Sequence, residues 1–446
     1  MRPSVQRGVL AMGVSMPMEE AYDLGMSHGA RPDKARHVRQ FDDAASGRPL
    51  WMRSLNAVGR LAPRWLEPAA QAWWQAAHRR EPDAGEPSKE AVEALEVLVR
   101  SLKESAALNL LGRFSARDDS VRLARTHLRV ERALRENPSI RGEEIPPPVF
   151  IIGWPRTGST ALHTLLANDP ASRTIPYWES FDPVPPRTGP DRRGEKLERM
   201  LAQLERISPD YHAIHPMAAA MTEECVALFM NHFRTLQFDF QYRIPGYVEW
   251  ILDQDARIAY SAYHDSLRLI HHYRPGGARF LLKDPTHLVH IQTILQEWPD
   301  AKIIFTHRDP VSAISSLCSL HAHTRAIFSD DVDPIAIGEE IMAGVWPRAL
   351  DAAFSLREQL AHEQFVDVRH VDLLREPMRT VESIYDRLGG ITLGDEARSA
   401  MQRFLDEEAS KPGSLHEHSL AGFGLRPEAI RERWKGYCET FDLGSA

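Results

Sequence analysis

Residues Pro148–Ala167 read PVFIIGWPRTGSTALHTLLA, and this run decides how the chain folds. Val149, Phe150, Ile151 and Ile152 are β-favouring and apolar without a break, which predicts a buried strand. The strand stops at Gly153, a glycine- and hydroxyl-rich turn follows, and an apolar-periodic helix opens near Ser159. Strand, glycine turn and helix N-terminus together form a cradle for an anion. Backbone N–H groups converge there, and the helix end adds about half a positive charge. Arg156 lies inside the turn, where its guanidinium donates paired hydrogen bonds to an oxyanion at about 1.5–3 kcal/mol each. Thr157, Ser159 and Thr160 supply hydroxyl donors, and Gly158 lets the backbone approach.

Outward from this turn, apolar strands alternate with helices. Strands are expected at Val149–Gly153, Arg279–Lys283, Lys302–His307 and Phe365–Val371. Helices are expected at Ser159–Leu166, Leu288–Trp298, Val311–Leu320 and Met378–Leu388. Short apolar strands that each lead into a helix predict an α/β fold, a P-loop-NTPase-like parallel sheet flanked by helices. Residues 191–272 read as mostly helical with no sheet strand, an insert suited to an acceptor pocket. Before Pro146-Pro147-Pro148 the chain reads as a mostly helical N-terminal extension, 1–146, ahead of the main domain, 147–446. Residues 1 to about 50 have weak periodicity, and Trp65, Trp73 and Trp74 suggest a short packed helix. Glu81–Glu90 is linker-like, and Ser88 is placed to cap a helix with Val92, Leu95, Val99 and Leu102 on its apolar face. A second helix, Ser120–Arg135, carries the stripe Leu123, Val130 and Leu134, interrupted by His127 and stopped by Asn137-Pro138.

The 446 residues suffice for a large core, and 43% hydrophobic with 26% charged residues is ordinary for a globular protein. A net charge of −8 argues against non-specific nucleic-acid binding, so an anion site must be local. Cys225, Cys318 and Cys438 are odd in number and widely spaced, which reads as reduced structural thiols. The sequence holds no run of 18 apolar residues for a membrane span, and its start makes a poor signal peptide, so a cytoplasmic location is expected. His271-His272 and His416-Glu417-His418 are neighbours that do not converge on one ion by themselves, and no metal is expected.

Gly153 and Gly158 have the spacing that begins the phosphate-binding motif G-x-x-x-x-G-K-[ST], but Ser159 stands where that motif has lysine. A second segment, AKIIFTHRDPVSAISSLCSL (Ala301–Leu320), puts Arg308 just after a strand and Ser316 on the helix that follows, where the two could close on one phosphate. On that helix Ser312, Ser315 and Ser319 share a side. The two segments resemble the 5′-phosphosulfate loop and the 3′-phosphate motif of sulfotransferases that use 3′-phosphoadenosine 5′-phosphosulfate (PAPS). PRTGST with Arg156, IPYWES (Ile175–Ser180), LLKDPTHL (Leu281–Leu288), WPDAKIIFTHRDP and FVDVRHVDLLREP (Phe365–Pro377) are similar to a bacterial branch of that family, and more distantly to tyrosylprotein sulfotransferases. Trp434-Lys435-Gly436 is a faint echo of the C-terminal RKG phosphate motif of the cytosolic enzymes.

The resemblance implies sulfuryl transfer from PAPS to a hydroxyl on a small molecule, lipid, glycan or peptide, without a metal. It implies that Arg156, Thr157, Gly158, Ser159 and Thr160 hold the 5′-phosphosulfate, and that Arg308 and Ser316 hold the 3′-phosphate. Lys283, at a strand's carboxyl end, is similar to a lysine that neutralises the leaving phosphate. The transfer needs a base for the acceptor proton. Glu179 resembles the catalytic glutamate of the tyrosylprotein branch, His287 the histidine of the cytosolic enzymes, and His215 is a further candidate. Glu223-Glu224 and Pro245–Trp250 are possible pocket residues. Two rival readings stay open: a P-loop kinase or NTPase, disfavoured by the missing loop lysine, and a non-catalytic protein that recruits partners through Trp51–Trp74.

Overall fold

The structure is a computed structural model that describes residues 67–207, 218–357, 364–409 and 420–444. Its centre is a five-stranded, wholly parallel sheet with strand order β2-β3-β1-β4-β5. The strands are β1 (Pro148–Gly153), β2 (Ser172–Arg173), β3 (Arg279–Lys283), β4 (Lys302–His307) and β5 (Phe365–Arg369). All six residues of β1 are buried. The reason is the period of two along a strand. Phe150 and Ile152 enter one core with Phe280, Leu282, Ile303 and Phe305, while Val149 and Ile151 enter the opposite core with Leu281, Ile304, Val366 and Val368. Each such side chain contributes about 1.5–3 kcal/mol on burial. With both faces covered, these strands carry no polar alternation, and β1, β3 and β4 lie within one residue of their expected positions.

Three boundaries beside the sheet differ from expectation. β5 ends at Arg369, because His370 already begins a helix, His370–Arg375. The helix after β4 runs Pro310–Phe328, starting where Asp309 accepts a hydrogen bond from the Val311 N–H and continuing well past Leu320. The segment after β3 opens as a 3-10 turn, Pro285–His290, before the helix Ile291–Glu297. β2 pairs only through Ser172 and Arg173, too short to leave a sequence pattern.

The amino-terminal helices are α1 (Ala70–His78), α2 (Lys89–Ser105) and α3 (Leu110–Glu136). Ser88 caps α2, its hydroxyl accepting from the Ala91 N–H at 3.3 Å. Leu95, Val99 and Leu102 are buried on α2, with Leu98 in place of the half-buried Val92. α3 begins ten residues before the expected Ser120 because Asn109 caps it, accepting from the Gly112 N–H at 2.8 Å. His127 belongs to the buried face of α3, and its Nε2 accepts the Ser88 N–H at 3.2 Å. Burial holds that imidazole well below its usual pKa. Trp73 and Trp74 are buried and share a core with Val226, Phe233, Tyr242 and Tyr247, so the extension packs on the insert and these two indoles offer no recruiting surface. Trp51 and Trp65 lie outside the described residues.

Within the insert the described residues form helices and no sheet strand, among them α4 (Val226–Met230), α5 (Pro245–Asp253) and α6 (Ala256–Tyr273). No described helix is long and apolar enough to cross a membrane.

Candidate active site

The carboxyl ends of β1, β3 and β4 meet at the point where successive connections leave the sheet in opposite directions, the place where open α/β sheets bind ligands. The Pro148–Ala167 turn sits there. Gly153 is required because a Cβ would overlap Thr306 Oγ1 and lie 2.6 Å from Thr157 Oγ1. Arg156 and Gly158 both hold positive φ, +74° and +82°, so the loop turns back twice within three residues before its helix Ser159–Leu166 starts. Thr157 differs from the expectation for its hydroxyl. Its Oγ1 is spent on Trp154 O at 2.7 Å and Thr306 Oγ1 at 2.6 Å, fastening the loop to β4, and only its backbone N–H is left for an anion.

One segment more than 150 residues downstream closes on this loop. Arg156 Nε donates to Ser316 Oγ at 2.8 Å, and Arg308 Nη1 donates to the Arg156 carbonyl at 2.8 Å. The residues expected at the two ends of a nucleotide therefore form one bonded group. Ser312 instead bonds its helix cap Asp309, and Ser319 pairs with His323. Trp434 packs edge-on against Trp154 of the loop at 5.1 Å, which brings the Trp434-Lys435-Gly436 segment alongside. His370, from the end of β5, lies against Gly158, where a Cβ would overlap its ring.

Lys283 is the last residue of β3 and 1% exposed. Its Nζ donates to Thr160 Oγ1 at 2.9 Å and to Glu224 Oε1 at 2.5 Å. Burial pushes the lysine well down and the Glu224 carboxyl well up, so neither charge is comfortable; an anion in the loop favours the ammonium. Beside this pair stand Glu223, half-buried and pushed up to about 7 by burial, and Asp284, pushed up to about 6 for the same reason. Glu223 Oε1 accepts the Glu224 N–H at 3.0 Å. Glu224 Oε2, Asp284 Oδ2 and His287 Nε2 are buried polar atoms with no hydrogen-bond partner among the described residues. The two glutamates were legible only as possible pocket residues, because a carboxylate pair on a helix-rich segment is ordinarily solvated.

The two bases expected from sequence are placed differently. The Glu179 carboxylate is gripped by Arg173 Nη2 at 2.7 Å and by Arg274 Nε and Nη2, each at 3.0 Å. Arg173 pairs with Phe280 near the amino end of β3, and Arg274 precedes that strand, so both arginines of the clamp come from the end of β3 opposite Lys283. Glu179 thus enters the site region already paired with two guanidiniums. His287 is fully buried among Phe150, Phe229, Tyr260 and Tyr263, its Nδ1 2.7 Å from the Tyr260 hydroxyl, and burial pushes it down to about 3. His215 and His416-Glu417-His418 lie outside the described residues, among which no cluster of metal-ligating side chains occurs.

Comparison with known proteins agrees with this geometry. The profile of the Sulfotransferase family matches residues 147–392, more than half of the chain. The crystal structure of sulfotransferase STF1 from Mycobacterium tuberculosis H37Rv superposes with a TM-score of 0.70 at 30% identity, covering 83% of this chain and 99% of that one. That of STF9 from Mycobacterium avium gives 0.75 at 26% identity, covering 84% and 97%. Omega-hydroxy-beta-dihydromenaquinone-9 sulfotransferase Stf3 from Mycobacterium tuberculosis (strain CDC 1551 / Oshkosh) is 26% identical over 265 residues, 56% of this chain. The match spans 63% of that relative's own length. A glycine loop that carries its cation inside the turn, a lysine at the end of β3 and a matching fold lead to one conclusion: this chain belongs to the sulfotransferase family.

Proposed function

We propose that this chain transfers the sulfuryl group of PAPS to an acceptor hydroxyl. The observation that carries the reading is the bonded group Ser316–Arg156–Arg308 beside Lys283–Thr160, cations and hydroxyls gathered on one glycine loop. In this reading Arg156, the Thr160 hydroxyl and the backbone N–H groups from Thr157 through Ser159 hold the 5′-phosphosulfate, and Arg308 with Ser316 holds the 3′-phosphate. The acceptor oxygen bonds to sulfur as the bond from sulfur to the 5′-phosphate oxygen breaks. The electron pair leaves on that bridging oxygen with 3′,5′-adenosine bisphosphate, and Lys283 and Arg156 stabilise the charge. The acceptor proton goes to Glu223, whose carboxyl is pushed up to about 7 by burial and which is half-buried one residue from the Lys283 partner Glu224, whereas Glu179 is held by two guanidiniums and His287 is enclosed by rings. The relative Stf3 is named for an omega-hydroxy menaquinone derivative, which supports an apolar acceptor here. Three unpaired thiols, Cys225, Cys318 and Cys438, support work in a reducing compartment, the cytoplasm.

Calorimetry with 3′,5′-adenosine bisphosphate tests the donor site. The wild type should bind it, and Arg156→Ala should bind about tenfold to a hundredfold more weakly, the loss of one or two charged hydrogen bonds. Magnesium ATP binding more tightly than the bisphosphate would favour a kinase instead.

A further inference from the structure

β4 ends on His307, which is fully buried, and the next residue is Arg308, whose guanidinium reaches the glycine loop. This strand end is fixed from the carboxyl-terminal helix Lys435–Phe441. Tyr437 and Phe441 lie four residues apart and share one face of that helix. Phe441 stacks on the His307 ring with 3.6 Å between centroids, and the Tyr437 hydroxyl lies 2.9 Å from His307 Nδ1. The backbone N–H of Arg308 bonds the same hydroxyl. On the far side of the imidazole, Nε2 is 2.9 Å from Asp367 Oδ1 on β5, and Arg357 Nε donates to both oxygens of Asp367 at 2.8 Å.

These contacts admit one direction of donation. Burial works against charge on Asp367, but the bonds from His307 and Arg357 outweigh it and keep the carboxyl below its usual range. An ionised carboxylate only accepts, so His307 Nε2 carries a proton. Burial lowers the imidazole more than Asp367 raises it, so the ring is neutral and its Nδ1 accepts. The Tyr437 hydroxyl therefore donates to Nδ1 and turns a lone pair to the Arg308 N–H. The same helix follows Trp434, which packs on Trp154 of the glycine loop at 5.1 Å. One short helix thus touches both strand-to-helix junctions, by an indole at the loop and by a hydroxyl at Arg308. A change confined to the hydroxyl leaves the indole contact in place.

We infer that Tyr437 is a positioning residue for the 3′-phosphate end of the donor site. Its hydroxyl, braced through His307 on Asp367, sets the backbone from which Arg308 reaches, and with it the preference for a nucleotide that carries a 3′-phosphate. This rests on the sulfuryl-transfer reading and adds to it a determinant of donor selectivity.

Calorimetry on the full chain with 3′,5′-adenosine bisphosphate and with adenosine 5′-monophosphate gives an affinity ratio that isolates the 3′-phosphate. The wild type should prefer the bisphosphate by about tenfold or more, the worth of a charge-assisted contact. Tyr437→Phe keeps the ring and its packing, yet the ratio should fall about fivefold to tenfold while monophosphate affinity stays within about twofold, which also shows that the variant folds. Arg357→Gln weakens the far end of the chain and should lower the ratio about threefold. Phe354→Leu, at a ring packed on Tyr437 and Phe441, should leave the ratio unchanged. An unchanged ratio in Tyr437→Phe overturns the inference, as does an equal loss of both nucleotides, which would mean that the hydroxyl serves the fold alone. Should Tyr437→Phe not fold, Arg357→Gln decides: a lowered ratio supports the inference and an unchanged one overturns it. A wild type that binds the two nucleotides equally overturns the 3′-phosphate reading itself, before any variant is made.

Discussion

Replacing Lys283 by methionine separates what this side chain does for the fold from what it does for the reaction. The ammonium makes two contacts, to Thr160 Oγ1 at 2.9 Å and Glu224 Oε1 at 2.5 Å, and methionine keeps the apolar stem while deleting both. For the proposed reaction, the expected loss is of one fixed donor at the oxygen where charge develops, which costs about 10²–10³ in turnover. For the fold, removing one member of a buried ion pair costs about 3–5 kcal/mol when the other charge is stranded. Here the stranded group is Glu224, already pushed well up by burial, so it takes a proton and the cost falls below that range. The double variant Lys283→Met/Glu224→Gln removes the stranded group altogether. Single-turnover transfer of radiolabelled sulfuryl groups and urea unfolding, run on the same preparations, read the two effects apart. The double variant should recover stability without recovering turnover. Turnover within about threefold of wild type in Lys283→Met, or turnover restored in the double variant, would refute the assignment of Lys283 to the leaving oxygen.

Further outcomes follow from the same geometry. With its pKa near 7, Glu223 must be deprotonated to act, so turnover should rise through that pH and level above it, and Glu223→Gln should flatten this limb while leaving bisphosphate affinity unchanged in calorimetry. Because the folded-state pKa is raised, the Glu223 contribution to stability is present at low pH and is lost between about 4.5 and about 7; the glutamine variant should show a shallower decline of unfolding free energy across that window. Glu179→Gln should act on stability instead, costing about 1.5–3 kcal/mol in denaturant titrations as charged hydrogen bonds to Arg173 and Arg274 weaken, with turnover per folded molecule changed less than about twofold. Gly158→Ala should lower bisphosphate affinity and the melting temperature together, since a Cβ at φ +82° costs about 1–2 kcal/mol before the His370 ring is displaced.

Sequence legibility divides along physical lines. β1, β3 and β4 were readable nearly to the residue because burial on both faces leaves an uninterrupted apolar run. The loop was readable because its chemistry is contiguous: Arg156, Gly158 and Thr160 lie within five residues. Arg308 and Ser316 were readable from the second strand-to-helix junction. What was not readable depended on partners far away in the chain. Glu179 looks like a free carboxylate until Arg173 and Arg274 close on it, and no motif marks either arginine. Glu223 and Glu224 look solvated until the fold sets them against Lys283 and Asp284. His287 looks like an accessible imidazole until four rings enclose it. The early start of α3 was hidden because its cap, Asn109, is tied to the far end of the Pro310–Phe328 helix through Phe328 O, 219 residues downstream.

On the sulfuryl-transfer reading, the link from Arg308 to the backbone of Arg156, and from Arg156 to Ser316, makes the two proposed grips on the donor into a single lever. Loosening either end lets the other sag, so substitutions at these three positions are coupled and their penalties do not sum. A nucleotide stripped of its 3′-phosphate would accordingly forfeit more than one contact, since Arg308 would lose the anchor that keeps it braced beneath the turn. On that reading, discrimination between the intact donor and its dephosphorylated forms is built into the brace and requires no separate reading pocket.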